Sequence, residues 1–473
     1  MSGGNHSEPH FVQIRLASFT TSFYIGASCH LKRMLFPHMT EKLLHFIWQF
    51  QYYNLANLHT EEGQTFKVIY QGQYHHNQGP DFINAKIIID ETTWAGNIEL
   101  HLKSSDWLRH QHNNDQNYNN TILHVVWQHD AEIKHADGSV IPTLQLQPLV
   151  PKLMLDHYQI LMESNRFVPC DRFLPAIDNM KWSMWKERLT IERLQRKSTI
   201  VLQQLQAANN HWEEVFWWML AKNFGGSING ELFEAIARSL PIVTLAKHKN
   251  QIHQIEALLL GQAGLLNKQF DDDYMIMLQK EYIFLQKKYQ LKPMTIQPHF
   301  LRMRPANFPS IRLAQLAMLI HKSTHLFSTI LEAGNVSAIK ELMDVQANDY
   351  WHYHYIPDEA TPYKPKKLGQ QMVDLILINT IVPALFAYGL HHKNEPLKEK
   401  AITWLTTISA EENNITKKWK LKNVTCESAA ESQALIELKN NYCTPRRCLE
   451  CTVCNAVLKT PKHTPLLPKL SAS

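Results

Sequence analysis

Between residues 65 and 147 apolar and polar side chains alternate in short runs, whereas beyond residue 150 the apolar positions recur at three- and four-residue intervals. The first pattern predicts strands over "TFKVIY" (65–70), "FINAKIIID" (82–90), "GNIELHLK" (96–103), "TILHVVWQ" (121–128) and "IPTLQLQ" (141–147), separated by turn-forming Gly, Pro, Asn and Asp. A helix is predicted over 40–54, with Leu43, Leu44, Ile47 and Trp48 on one side and Glu41 near its start. "SSDWLRHQHNNDQNY", between the third and fourth strands, reads as part helix and part loop. Helix, three strands, a partly helical connection and two more strands define one α/β unit over 39–150.

Helical period then dominates over 178–207, 210–222, 249–261, 272–290, 309–333, 368–390, 394–408 and 428–441, so 151–440 reads as an all-α region of one or two domains. No fixed repeat marks a solenoid. The run "MVDLILINTIVPALFAYGL" (372–390) has the length of a membrane span, but Asp374, Asn379 and Pro383 within it favour a buried helix, and no membrane partner is expected. Residues 1–38 are rich in hydroxyl side chains, with Lys32 and Arg33 only at their end; they read as a disordered extension, with Met39 as an alternative start and a secretory leader as the lesser reading. The basic, Pro-rich end (457–473) reads as a disordered tail.

With 473 residues and 44% hydrophobic side chains, the chain can bury two or three cores. A net charge of +5 permits a polyanionic partner without requiring one. No phosphate-binding Gly-rich loop and no nucleophile elbow is present, which leaves a nucleotide-driven motor or a serine hydrolase unsupported. Seven cysteines are present, and Cys443, Cys448, Cys451 and Cys454 fall in a C-x4-C-x2-C-x2-C run (441–456) that suits metal thiolates better than disulfides. Zinc is the default ion, unligated thiols are the plain alternative, and a reducing, cytoplasmic setting follows. Cys29 and Cys426 look incidental.

The sharpest chemistry lies in "GPDFINAKIIIDETTWAGNIELHLKSSDW" (79–107). Asp81 and Glu99 flank consecutive strands, and residues two apart on a strand share a face, so Glu99, His101 and Lys103 point the same way. Two carboxylates can hold Mg or Mn while His101 or Lys103 orients a water or offsets charge on phosphorus. Alternatively, Asp81 merely caps a turn and Glu99 and Lys103 form a solvated ion pair. A rival constellation, Asp106, His110, His112 and Asp115 with His124 on the next strand, offers zinc or manganese ligands, a helper role beside the main cluster, or solvated loop histidines. His75 and His76 precede the Gly-Pro-Asp turn without an assignable role.

At these residues the chain resembles the PD-(D/E)XK nuclease superfamily: Pro80-Asp81, Glu99 on the next strand and a basic residue beyond it, on a core of helix, three strands, helix, strand. The resemblance implies a restriction-endonuclease-like fold in which Asp81 and Glu99 hold the ion and Glu41, on the first helix, supports it. It departs from the pattern in one place, since His101 stands where the superfamily has lysine and Lys103 comes two residues later. Some DNA-processing members of that superfamily carry an iron-sulfur cluster on one distant and three clustered cysteines, which here implies Cys170, in "FVPCDRF", as the distant ligand and leaves Cys454 spare. Over most of its length from Met39 the chain also resembles the uncharacterised bacterial family DUF2851, through "GPDFINAKI", "GNIELHLKSSDW", "NTILHVVWQHD", "IEALLLGQAGLL", "RPANFPSIRLAQLA" and "CLEC".

In the helical half, Arg302, Arg304 and Arg312 surround a Pro-marked helix entry, where they can hold phosphates or anchor the loop on acids elsewhere. Together these readings predict a divalent-metal-dependent nuclease acting on nucleic acid, DNA ahead of RNA. A protein that kept the fold and binds nucleic acid or scaffolds without cutting is the alternative, and an assembly protein using its helical half is a third.

Overall fold

The computed structural model describes residues 39–75, 79–323 and 325–459. The extension predicted over 1–38, His76 and the tail beyond Lys459 lie outside them. The chain divides into two compact units between Pro151 and Lys152.

In the first unit, helix α1 (Glu41–Gln49) starts at Thr40, whose hydroxyl accepts from the Leu43 amide at 3.2 Å. It buries Leu43, Leu44, Phe46, Ile47 and Trp48. The helix stops five residues short of its predicted end because the backbone turns left-handed at Gln51 (φ 52°). The strands are β1 (Leu58–His59), β2 (Thr65–Tyr70), β3 (Gln73–Tyr74), β4 (Phe82–Ile89), β5 (Thr92–Lys103), β6 (Thr121–Gln128) and β7 (Thr143–Gln145). They form one mixed sheet in the order β1-β2-β4-β5-β6-β7, with β3 paired to β4. Pairing is antiparallel from β1 through β5 and parallel from β5 to β6 and β7. The crossover to β6 is short, and consists of α2 (Asp106–Arg109) and two 3-10 turns, His112–Asn114 and Gln116–Tyr118.

A one-residue bulge in β4 sets which side its residues face. Phe82 pairs with Ile98 but Ala85 with Gly96, so β4 carries an extra residue where Asn84 is left-handed (φ 58°). Without it Phe82 and Ala85 would face opposite sides; with it both join Ile87 and Ile89 as buried residues. On central strand β5 both faces are covered: Ile98 and Leu100 are buried apolar residues, and the alternating Glu99 and His101 are only 5% and 2% exposed. Burying a carboxyl and an imidazole side by side is costly unless something holds them.

The second unit is helical. Its core runs through Trp212–Ser239, broken at Gly226, and through Ile252–Gln262, Asp273–Tyr289, Pro309–Lys322 and Gln370–His391. The helix predicted over 309–333 is two, Pro309–Lys322 and Leu326–Glu332, because Ser323 is extended. Five shorter helices went unread: Lys152–Glu163, Ile242–Lys247, Val336–Leu342, Asn414–Lys420 and Thr452–Lys459, the last taking in the first residues of the predicted tail. The apolar run is the core helix Gln370–His391, 72% buried across its most apolar window. Its centre is a π-helical turn, Leu377–Ile381, in which the side-chain Oδ1 of Asn379 accepts from Arg193 Nη2 at 3.0 Å and Lys197 Nζ at 3.3 Å. A second π segment, Leu438–Cys443, leads into the cysteine run.

Candidate metal centre

Gly79 and Pro80 deliver Asp81 to the start of β4; Gly79 has φ +113°, a region costly for any side-chain-bearing residue. Asp81 and Glu99 then meet across the β4–β5 pair. The Asp81 amide donates to Glu99 Oε2 at 3.0 Å, and the Leu100 amide donates to Asp81 Oδ2 at 3.0 Å. Helix α1 completes this side through His45, whose Nε2 lies 3.1 Å from Asp81 Oδ2 and whose Nδ1 lies 3.2 Å from the Tyr74 hydroxyl. Glu41, one turn earlier, is exposed but close enough to raise the Glu99 carboxyl pKa slightly.

Glu99 Oε1 faces imidazoles. It lies 3.6 Å from His101 Nε2 and 3.5 Å from His112 Nε2. His101 Nε2 is 3.1 Å from His110 Nδ1, and His101, His110 and His112 each bring a nitrogen within 4.8 Å of the other two. Behind them His124, fully buried, sets its Nε2 2.9 Å from His101 Nδ1. His112 is placed by a left-handed Gln111 (φ 60°) and stacks on Tyr118 at 3.9 Å between ring centroids. Buried Trp107 packs edge-on against His101, His112 and His124.

Burial, and next the charge of Asp81, push the Glu99 carboxyl up to about 9. Burial also pushes His101 and His124 far down, with neighbouring imidazoles adding to it, and lowers His112. These shifts favour the neutral imidazole, the form that ligates metals, at His101, His112 and His124, and at Glu99 they favour the protonated carboxyl until a cation displaces the proton. The donor set of one carboxylate and three imidazoles suits a divalent transition metal.

Of the predicted residues, Asp81, Glu99 and His101 converge. Lys103 does not: it is exposed, and its amine lies 3.9 Å from Asp130, which also accepts from the Ser104 and Ser105 hydroxyls and the Ser105 amide. Only the histidines of the rival constellation join. Asp106 instead accepts from the Lys103 amide and pairs with Arg109, and Asp115 caps the turn at Asn117. His45 was missed, though its position four residues after Glu41 on one helix face was a readable signal. His75 contributes its amide to the Asp81 carbonyl at 2.8 Å.

In the helical unit, hydrogen bonds from Cys454 to the thiols of Cys170, Cys448 and Cys451, followed by burial, raise the Cys454 thiol well above its usual value. Burial raises Cys443, with Cys170, Cys451 and Cys448 adding to it. Cys451 is instead lowered, by Cys454 and by amides at the start of Thr452–Lys459. Cys170 therefore joins all four cysteines of the run. Arg302 and Arg304 are exposed, whereas Arg312 ties down its own loop by donating to Asn307 Oδ1 (2.6 Å) and Gln315 Oε1 (2.9 Å), amides rather than distant acids.

A mixed-sheet α/β unit carrying a buried carboxylate-histidine centre, followed by a large helical unit, defines the class of protein. Residues 41–414 match the family described as protein of unknown function (DUF2851), and the chain belongs to that family. The match takes in the whole carboxylate-histidine centre and ends before the cysteine run. No curated protein and no solved structure matches the chain.

Proposed function

We propose that the first unit is a divalent-metal-dependent hydrolase of phosphodiester bonds, acting on DNA. The observation that carries it is the mutual bracing of Asp81, just before β4, and Glu99, in the later half of antiparallel β5, with His45 on Asp81 and His101 on Glu99. An ion held there polarises a phosphoryl oxygen and acidifies a bound water. Asp81, 21% exposed, is reachable from solvent, and His45, oriented by Tyr74, is placed to take the water's proton. The nuclease-like identity of the fold rests on the Pro80-Asp81 and Glu99 resemblance and on the order of helix α1, the long antiparallel strands β2, β4 and β5, a helical crossover and parallel strand β6, with two-residue strands β1 and β3 added to that core. The substrate follows from that resemblance. Arg302 and Arg304, exposed beside a helix entry, are candidate phosphate contacts.

The test is cleavage of single- and double-stranded DNA and RNA by the full chain with magnesium, manganese or zinc. Cutting that disappears in Asp81→Asn and Glu99→Gln supports the reading. Tight binding without cutting under every metal supports a nucleic-acid-binding scaffold instead.

A second proposal rests on the gathering of Cys170 with Cys443, Cys448, Cys451 and Cys454: these thiols hold zinc or an iron-sulfur cluster that fastens the loop at 170 to the cysteine run. Free thiols in such a cluster suit the reducing cytoplasm. Elemental analysis and the visible spectrum separate the two, and full retention of metal by Cys451→Ser with Cys454→Ser would refute both.

A further inference from the structure

We infer that the ion of the first unit is a zinc-class transition metal seated on His101, His110 and His112 with Glu99 as its anionic ligand, rather than a magnesium ion seated on the two carboxylates alone. The assignment rests on reading this centre as metal-dependent, and it names the ligands and the class of ion.

The spacing of the donor atoms carries it. With metal–ligand bonds of about 2.0–2.1 Å, adjacent ligand atoms stand about 3.3 Å apart in a tetrahedral set and about 2.9 Å or more in a five-coordinate one, which leaves a fifth position for water. The separations here are 3.5 Å (Glu99 Oε1 to His112 Nε2), 3.6 Å (Glu99 Oε1 to His101 Nε2) and 3.1 Å (His101 Nε2 to His110 Nδ1). His112 Nε2 is buried and makes no hydrogen bond, with Glu99 Oε1 standing 3.5 Å away. Hydrogen bonds link these groups in pairs, as between His101 and His110, whereas a shared cation accounts for three imidazole nitrogens and a carboxylate oxygen directed together.

The surroundings fit the same ion. For His101 Nε2 to offer a lone pair, its Nδ1 must carry the proton, and His124 Nε2 stands 2.9 Å away to accept it. Glu99 keeps its other oxygen on the Asp81 amide, which fixes Oε1 toward the imidazoles. Magnesium demands oxygen ligands and retains several waters, which a set of three nitrogens against Trp107 and Tyr118 does not supply. His110 is exposed, so one ligand borders solvent and gives the ion an entry path.

The experiment is metal analysis of the full chain after exhaustive dialysis into magnesium buffer. One equivalent of zinc, or of a close congener, is expected to remain on the wild type at this centre. It should be lost in His112→Ala and in the milder surface variant His110→Ala, and kept when Cys451 and Cys454 are changed to serine. Cobalt added to the metal-stripped wild type should give d–d bands of a nitrogen- and oxygen-ligated ion whose intensity is insensitive to the cysteine changes. Equal metal content in wild type and both histidine variants, or no such cobalt bands, overturns the assignment even if the chain cuts DNA with magnesium. A chain that holds the ion on these histidines and cuts no nucleic acid overturns the hydrolytic reading alone.

Discussion

Asp81 and Glu99 hold each other through the backbone: the amide of one donates to the carboxylate of the other, and the amide following Glu99 returns the bond to Asp81, both at 3.0 Å. Each acid is thereby fixed by a donor that survives amide substitution. Asp81→Asn and Glu99→Gln are expected to keep the fold, because the amide oxygen can still accept, while lowering cleavage by at least about 100-fold through loss of charge at the ion. Unchanged thermal unfolding with lost cleavage is the expected pair of results; cleavage within a few-fold of wild type would remove these acids from the reaction.

Lys103, which strand alternation directs toward the acids, stands away from them, and His45 of α1 stands at Asp81 instead. Lys103→Met is expected to change cleavage by less than about 2-fold, since its amine sits at Asp130 near the surface, where ion pairs contribute about 1 kcal/mol or less. His45→Gln should lower the rate by about 100-fold, the usual scale of a lost general base, with little change in metal content. The reverse ranking in a single-turnover assay would return the lysine to the centre.

The strands that carry the site were legible from alternation: 65–70 and 121–128 coincide with β2 and β6, and Glu99 and His101 occupy one face as period two requires. The departures have local causes. Lys103, at the last position of β5, is held by Asp130 on the loop after β6, a contact that no pattern along one strand encodes. His112 reaches Glu99 and His110 reaches His101 across a left-handed turn at Gln111, which a polar run does not announce. Cys170 joins cysteines more than 270 positions later, so its spacing carried no information and only the fold brings them together.

In the helical unit, Glu256 is fully buried and accepts from the Tyr274 hydroxyl and from Trp351 Nε1, yet burial still pushes its carboxyl from an ordinary 4.5 up to about 7. The folded chain therefore keeps a proton that the unfolded chain releases above pH 4.5. This contribution to stability is complete below pH 4.5 and is lost as pH rises to 7, about 3 kcal/mol in all. Glu256→Gln should flatten that part of the profile, as read from urea midpoints at pH 5 and pH 8; an identical slope in the variant would place the proton elsewhere.

On the same helix, a Cβ at Gly261 would fall on the ring of Tyr282, itself 4% exposed. Gly261→Ala gains helix propensity but must push the neighbouring helix Asp273–Tyr289 away. Overpacking is expected to prevail, with a net loss of about 1–3 kcal/mol in denaturant unfolding. A stabilised variant would mean that the two helices separate freely.

The π turn at Leu377–Ile381 spends one residue more per turn than an α-helix does, and that surplus brings Asn379 to Arg193 and Lys197. Deleting a single residue there would restore an ordinary turn and leave the side chains from Val382 to His391 in nearly their present phase, so the loss would fall on the contacts of Asn379 with Arg193 and Lys197. Buried Leu385 and Phe386 would keep their neighbours, so a shortening at this turn should be tolerated better than the same deletion elsewhere along the helix.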